Sequence, residues 1–103
     1  MNYDIDITEA AQRDFENIYT YISENLCNKK AALDLINLLN KNVQILTAMP
    51  EIYPIVRDEY LGNMGIRFIT VKNYMIFYVV NKSENQVSII RVLYGKRNWT
   101  EIL

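Results

Sequence analysis

Residues 66–94 read IRFITV-KN-YMIFYVVN-KSEN-QVSIIRVLY, three runs rich in Val, Ile, Phe and Tyr parted by short polar breaks at Lys72-Asn73 and Lys82 to Asn85. Branched and aromatic side chains fit a pleated, half-buried surface, and connections this short join neighbouring antiparallel strands. The stretch therefore predicts an antiparallel three-strand meander with strands at 66–71, 74–81 and 86–94.

Upstream, the segment from Pro50 to Gly65 holds both prolines and two of the three glycines, which predicts an irregular, surface-exposed linker. Before it, Ala32, Leu35, Ile36, Leu39, Val43 and Leu46 recur on one helical stripe, giving a helix from about Lys29 to Ala48 that Pro50 stops. An earlier helix is expected over 9–26: Phe15, Ile18, Tyr19, Ile22 and Leu26 keep helical spacing, Thr8 suits the N-cap and Glu9 the positive end. Still earlier, Tyr3, Ile5 and Ile7 alternate with Asp4 and Asp6, the period of a strand with one wet face. Strand, helical hairpin and three-stranded meander make an α+β fold: a twisted sheet with the helices packed on one face. At 103 residues, half of them hydrophobic, the chain is expected to form a single domain over 1–103.

Composition narrows the chemistry. The chain has no histidine, which removes Ser-His-Asp and Cys-His nucleophile systems and imidazole zinc sites. The lone Cys27 has no internal disulfide partner and is expected to be a partly buried small hydrophobe, suited to a reducing compartment. No basic region followed by an apolar run opens the sequence, and no apolar stretch approaches a membrane span, so the expectation is a cytoplasmic protein without membrane association. Charge is unevenly distributed. Residues 1–56 carry 4 Lys/Arg against 8 Asp/Glu, whereas residues 57–103 carry 7 against 4, so positive potential gathers in the second half.

Two segments carry a family resemblance. Arg67 followed by Asn73-Tyr74-Met75-Ile76-Phe77-Tyr78 resembles the arginine, turn and Asn-Tyr-aliphatic-Ile-Phe-Tyr strand of the RelE/ParE toxins. Val87 to Tyr94 followed by Gly95-Lys96-Arg97-Asn98-Trp99 is similar to their closing strand and Gly-x-Arg tail. The ParE-type branch is the nearer match. The resemblance implies the toxin of a type II toxin–antitoxin pair, which inhibits growth when free, is neutralised by a cognate antitoxin that wraps its surface, and meets operator DNA only through that antitoxin. It implies no cofactor and no metal.

Three activities fit within that resemblance. A ParE-like protein poisons DNA gyrase and carries no nuclease centre. A RelE-like protein is a ribosome-dependent, metal-independent mRNA endonuclease, for which Arg67, Arg97 and Tyr94 are the catalytic candidates. A remnant that binds antitoxin without toxicity is the third. Met75 stands where the nuclease branch carries a strand arginine, and no tyrosine follows the Gly-Lys-Arg segment. A net charge of −1 and a pI near 5.4 also sit poorly with docking into ribosomal RNA. The gyrase reading is therefore preferred, and the chain is read as a non-enzyme.

Among individual residues, Arg67, Arg91, Lys96 and Arg97 are the candidates for an anionic-partner site, since fixed cations bind phosphate or carboxylate and Arg does so with two parallel donors. The plainer reading places each on a solvated face beside acidic neighbours. Tyr74, Tyr94, Trp99 and Leu103 are the candidates for contact with the antitoxin or another partner. Phe77 and Tyr78 read as sheet packing, and Trp99, Ile102 and Leu103 as a tail tethered back onto the helices. Asp4, Asp6, Glu9, Asp14 and Glu16 read as a solvated acidic surface rather than a metal cluster.

Overall fold

A computed structural model describes residues 2–103. The elements run β1 (Asp4–Ile7), α1 (Glu9–Thr20), a π-helical turn (Tyr21–Asn25), α2 (Lys29–Ile45), α3 (Glu59–Asn63), β2 (Arg67–Val71), β3 (Tyr74–Asn81), β4 (Gln86–Tyr94) and α4 (Trp99–Ile102). The fold is α+β, as the sequence predicts. The sheet order is β1-β4-β3-β2; β2, β3 and β4 form the antiparallel meander, and β1 adds parallel to β4.

Thr8 begins α1 and also fastens it to the sheet. Its hydroxyl oxygen accepts the Ala11 N–H at 3.3 Å, while the hydroxyl donates to the Ile89 carbonyl at 2.9 Å. Asn28 caps α2 in the same way, accepting the Ala31 N–H at 3.0 Å. These caps satisfy amide donors that a helix start would otherwise leave orphaned. The helical hairpin covers one sheet face, burying Ala11, Ile18, Leu39, Val43 and Leu46 against Ile69, Val71, Ile76, Tyr78, Val87, Ile89 and Val92.

The other face is covered too, and here the sequence reading is corrected. The 50–65 linker is not simply a surface loop: it contains α3, and its Val56 and Leu61 are buried with Ile66, Phe77 and Leu93. The tail does not return to the helices. Trp99, Ile102 and Leu103 pack on this second core, with the Trp99 ring centroid 5.4 Å from that of Phe77. A sheet whose two faces are both apolar needs two layers, and Met75, Phe77, Val79 and Ile90 supply the second apolar face.

Two further differences concern the first helix. Its regular α-helix ends at Thr20, and the next turn is π-helical, so the spacing that placed Leu26 on the buried stripe fails and Leu26 is 56% exposed. Cys27 is likewise exposed, in the left-handed region with φ 51°. Among the described residues no helix is long and apolar enough to cross a membrane.

Candidate functional site

The position of the site is set by a one-residue bulge in β4. Phe77 pairs with Arg91 but Tyr78 pairs with Ile89, leaving Ile90 unmatched. An unmatched residue reverses which alternate side chains face which side. Val87 and Ile89 before it, and Val92 after it, all join the helix-side core, whereas Ile90 and Leu93 join the opposite one. Tyr94 consequently comes to the helix side, where it meets Tyr74 edge-to-face at 5.7 Å, the planes inclined by 73°.

Beyond the bulge β4 has lost its outer neighbour, because β1 pairs only as far as Ile89. Asp14 of α1 occupies that edge. Its carboxylate accepts the Val92 backbone N–H at 2.9 Å and the Arg91 Nε and guanidinium N–H groups at 2.7 and 2.9 Å. The paired carboxylate raises the Arg91 pKa further above its ordinary value, so the guanidinium stays charged. Asp14 is buried, which corrects its assignment to a solvated acidic surface. A carboxylate three residues after Ala11 and four before Ile18, on the helix's own buried stripe, was the available signal.

The meander closes tightly at this end. Lys72 takes a left-handed backbone, φ 56°, and the Gly95 N–H donates to the Asn73 carbonyl at 2.7 Å. A Cβ on residue 95 would lie 3.3 Å from that oxygen, so the strand exit and the turn approach as closely as they do because residue 95 has no side chain.

Two hollows flank the exit. On the helix side, a groove of about 820 Å³ is lined by Tyr21, Tyr74, Tyr94, Lys72, Arg97 and Asn17 with apolar walls from Ile18, Ile22, Leu35 and Val92. On the opposite side, a smaller hollow of about 240 Å³ is lined by Thr70, Met75 and Lys96, together with Lys72, Asn73 and Tyr94, which also line the groove. Burial, together with the neighbouring Tyr94 and Tyr21, raises the Tyr74 pKa above that of a free phenol; its hydroxyl stays protonated and able to donate.

The four candidate cations are distributed among different tasks. Arg67 donates to the Tyr53 and Glu51 carbonyls at 2.7 and 3.3 Å and lies 3.6 Å from the Glu51 carboxylate, fixing the linker at a point four residues along the sheet from the turn. Arg91 is bound to Asp14. Lys96 and Arg97 are exposed and sit in the two hollows, one on each side. Neither forms an ion pair among the described residues, and the same holds for Lys72. Of the partner-contact candidates, Tyr74 and Tyr94 meet in the groove, while Trp99 and Leu103 lie half-buried on the far face. Tyr21, 52% exposed at the π-helical turn, went unnoticed in the sequence because a π turn leaves no distinctive pattern; such turns are frequent at functional sites. Among the described residues no group of three or more potential metal ligands gathers.

Comparison with known proteins adds the family. The model of a family described as the ParE toxin of the type II toxin–antitoxin system parDE matches residues 5–99. Solved structures share the fold: a chromosomal ParDE system of P. aeruginosa (TM-score 0.75, 16% identity, 91% of this chain and 97% of the other). A toxin RelE variant of E. coli in the free state is similar as well (TM-score 0.70, 16% identity, 99% and 93%). So is the RelBE2 toxin–antitoxin complex of Mycobacterium tuberculosis (TM-score 0.65, 18% identity, 91% and 92%). No curated protein matches the chain in sequence.

Proposed function

This chain belongs to the ParE toxin family of type II toxin–antitoxin systems, and on that premise we propose that, free in the cytoplasm, it arrests growth by poisoning DNA gyrase. One observation carries the choice of target. The hollow on the face away from the helices holds Met75, at the position where the RelE-like branch resembled by this sequence has an arginine, and a thioether neither neutralises a phosphate nor moves a proton. No carboxylate lines that hollow to serve as a base in its place. A poison that acts by binding an enzyme and its DNA needs neither group.

A cognate antitoxin is the second partner. RelBE2 of M. tuberculosis and RelBE of E. coli are toxin–antitoxin complexes, and this chain offers exposed Leu33, Tyr21 and Leu26 on and beside its helical hairpin for such a segment to cover. Operator DNA is reached through the antitoxin.

The second reading, a ribosome-dependent endoribonuclease, rests on Lys72, Lys96 and Tyr94 sharing the Met75 hollow, two cations and a phenol beside a space large enough for a phosphate. Inducible expression of the chain alone separates the two. Growth arrest with DNA-damage signalling and intact transcripts, rescued by the adjacent reading frame, supports the gyrase poison. Transcripts cut inside codons, with Arg97→Ala abolishing the cuts, replace it with the nuclease. Soluble protein without arrest leaves the antitoxin-binding remnant.

A further inference from the structure

We propose that the helix-side groove is a nucleotide site: it takes one nucleobase against Tyr74 and Tyr94, with the attached phosphate on Arg97 and Lys72. The groove adjoins the Met75 hollow at Lys72, Asn73 and Tyr94, which line both, and the inference holds for either cellular target because it needs no chemistry from Met75 or Lys96.

Three observations converge on this ligand. The first is ring geometry. Tyr74 and Tyr94 pair edge-to-face at 5.7 Å, not stacked on one another, and Tyr94 and Tyr21 keep 37% and 52% of their surface exposed at the groove; exposed aromatic surface accepts any base by stacking. The second is charge. Arg97 and Lys72 reach the same groove and neither is neutralised by an acidic partner among the described residues. The acidic residue lining it, Asp14, has its carboxylate turned to Arg91 and the Val92 N–H. The groove thus presents two unspent cations and no unspent anion, the setting for a phosphate held by a guanidinium fork. The third is size. About 820 Å³ lies within the range of small-molecule sites, whose walls are mainly apolar with a few polar groups fixing orientation. Ile18, Ile22 and Val92 give the apolar wall, and the Asn17 and Asn73 amides offer donors and acceptors to a base edge.

The same chemistry is offered by a free mononucleotide and by the terminal nucleotide of a single strand. The test is an NMR titration of the full-length protein with nucleoside 5′-monophosphates, with the matching nucleosides, and with a 5′-phosphorylated single-stranded trinucleotide. The expected result is saturable shifts of the Tyr21, Tyr74 and Tyr94 ring signals, with the Trp99 indole on the far face unmoved. Removing the phosphate, Arg97→Ala and Tyr94→Ala should each weaken binding roughly tenfold, as expected for one charged contact or one base stack, while Tyr60→Ala changes nothing. Equal affinity for mononucleotide and trinucleotide identifies a free nucleotide as the ligand, and tighter trinucleotide binding identifies a strand end. Absence of saturable shifts with all probes at millimolar concentration overturns the proposal, as do shifts that Arg97→Ala leaves unaltered. All three side chains replaced are exposed, so the variants are expected to fold.

Discussion

The Asp14 carboxylate binds Arg91 through two hydrogen bonds, of 2.7 and 2.9 Å, and at the same time accepts the backbone N–H of the next residue, Val92, at 2.9 Å. One helix side chain thereby stands in for the strand that β4 lacks beyond Ile89, satisfying an edge donor that would otherwise be buried unpaired. Asp14→Ala removes all three bonds. Breaking a fully buried pair costs about 3 to 5 kcal/mol, but the Arg91 side chain is 26% exposed and can regain water, so a loss of about 2 to 4 kcal/mol in urea denaturation is expected. Asp14→Asn, which keeps an oxygen for Val92, should lose less. An Asp14/Arg91 double-mutant cycle with coupling below about 0.5 kcal/mol would show that the pair does not hold the edge.

The bulge beside that pair marks the limit of what the sequence discloses. The meander strands are legible almost to the residue, at 67–71, 74–81 and 86–94, because hydrophobic runs and polar breaks report backbone state directly. Which side chains face the helices is a different matter. Strict alternation from Val87 and Ile89 puts Tyr94 on the far face; the unmatched Ile90 reverses the parity and brings it to Tyr74. A bulge costs one residue of register and changes no local composition, so periodicity cannot find it. The separation of the four cations has the same origin in part: Lys96 and Arg97 are neighbours in sequence but reach opposite sides of the exit. The partners of Arg67 are hidden for another reason: Glu51 and Tyr53 come from a linker whose path has no sequence signature.

Gly95 sets the distance between the β4 exit and the Lys72-Asn73 turn. With a Cβ 3.3 Å from the Asn73 oxygen, Gly95→Ala forces that contact to open by a few tenths of an ångström. Stability should fall by only about 1 kcal/mol, within the usual range of single substitutions. Tyr94 precedes the residue and Lys96 and Arg97 follow it, so loss of growth arrest should exceed what the stability change explains. Thermal denaturation beside an induction assay checks this; full arrest by a Gly95→Ala protein would mean that the spacing of the exit is immaterial to toxicity.

Trp99 covers Phe77 on the face away from the helices. It is half-buried, so Trp99→Ala should cost about 1 to 3 kcal/mol, below the range for a wholly enclosed aromatic. Because the chain has one tryptophan, its fluorescence also reports on the tail in the native protein. A red shift of Trp99 emission at denaturant concentrations below the main far-ultraviolet transition would reveal the tail leaving before the sheet melts; coincident transitions would make it part of the cooperative unit.

Tyr78 anchors the opposite end of the linker. Its hydroxyl donates to the Pro50 carbonyl at 2.7 Å from a fully buried position, and burial pushes its pKa up to about 12, with the nearby Arg67 charge acting in the opposite sense. A phenol whose folded-state pKa exceeds the ordinary value of 10.0 binds its proton more tightly when folded. Its stabilising contribution is therefore complete below pH 10 and is lost as the pH rises from there through about 12. At neutral pH, Tyr78→Phe should destabilise by about 1 to 2 kcal/mol, because the Pro50 oxygen is left without its donor. In alkali the two proteins differ in slope: the unfolded parent is stabilised by ionising a phenol that the folded parent keeps protonated, and the phenylalanine variant has none at that position. All other groups are common to the two proteins and cancel in the difference. Urea midpoints measured at pH 7, 10, 11 and 12 should thus converge as the pH rises. A difference that stays constant across that series would mean that the Tyr78 hydroxyl ionises as readily folded as unfolded, and that the bond to Pro50 does not exclude water.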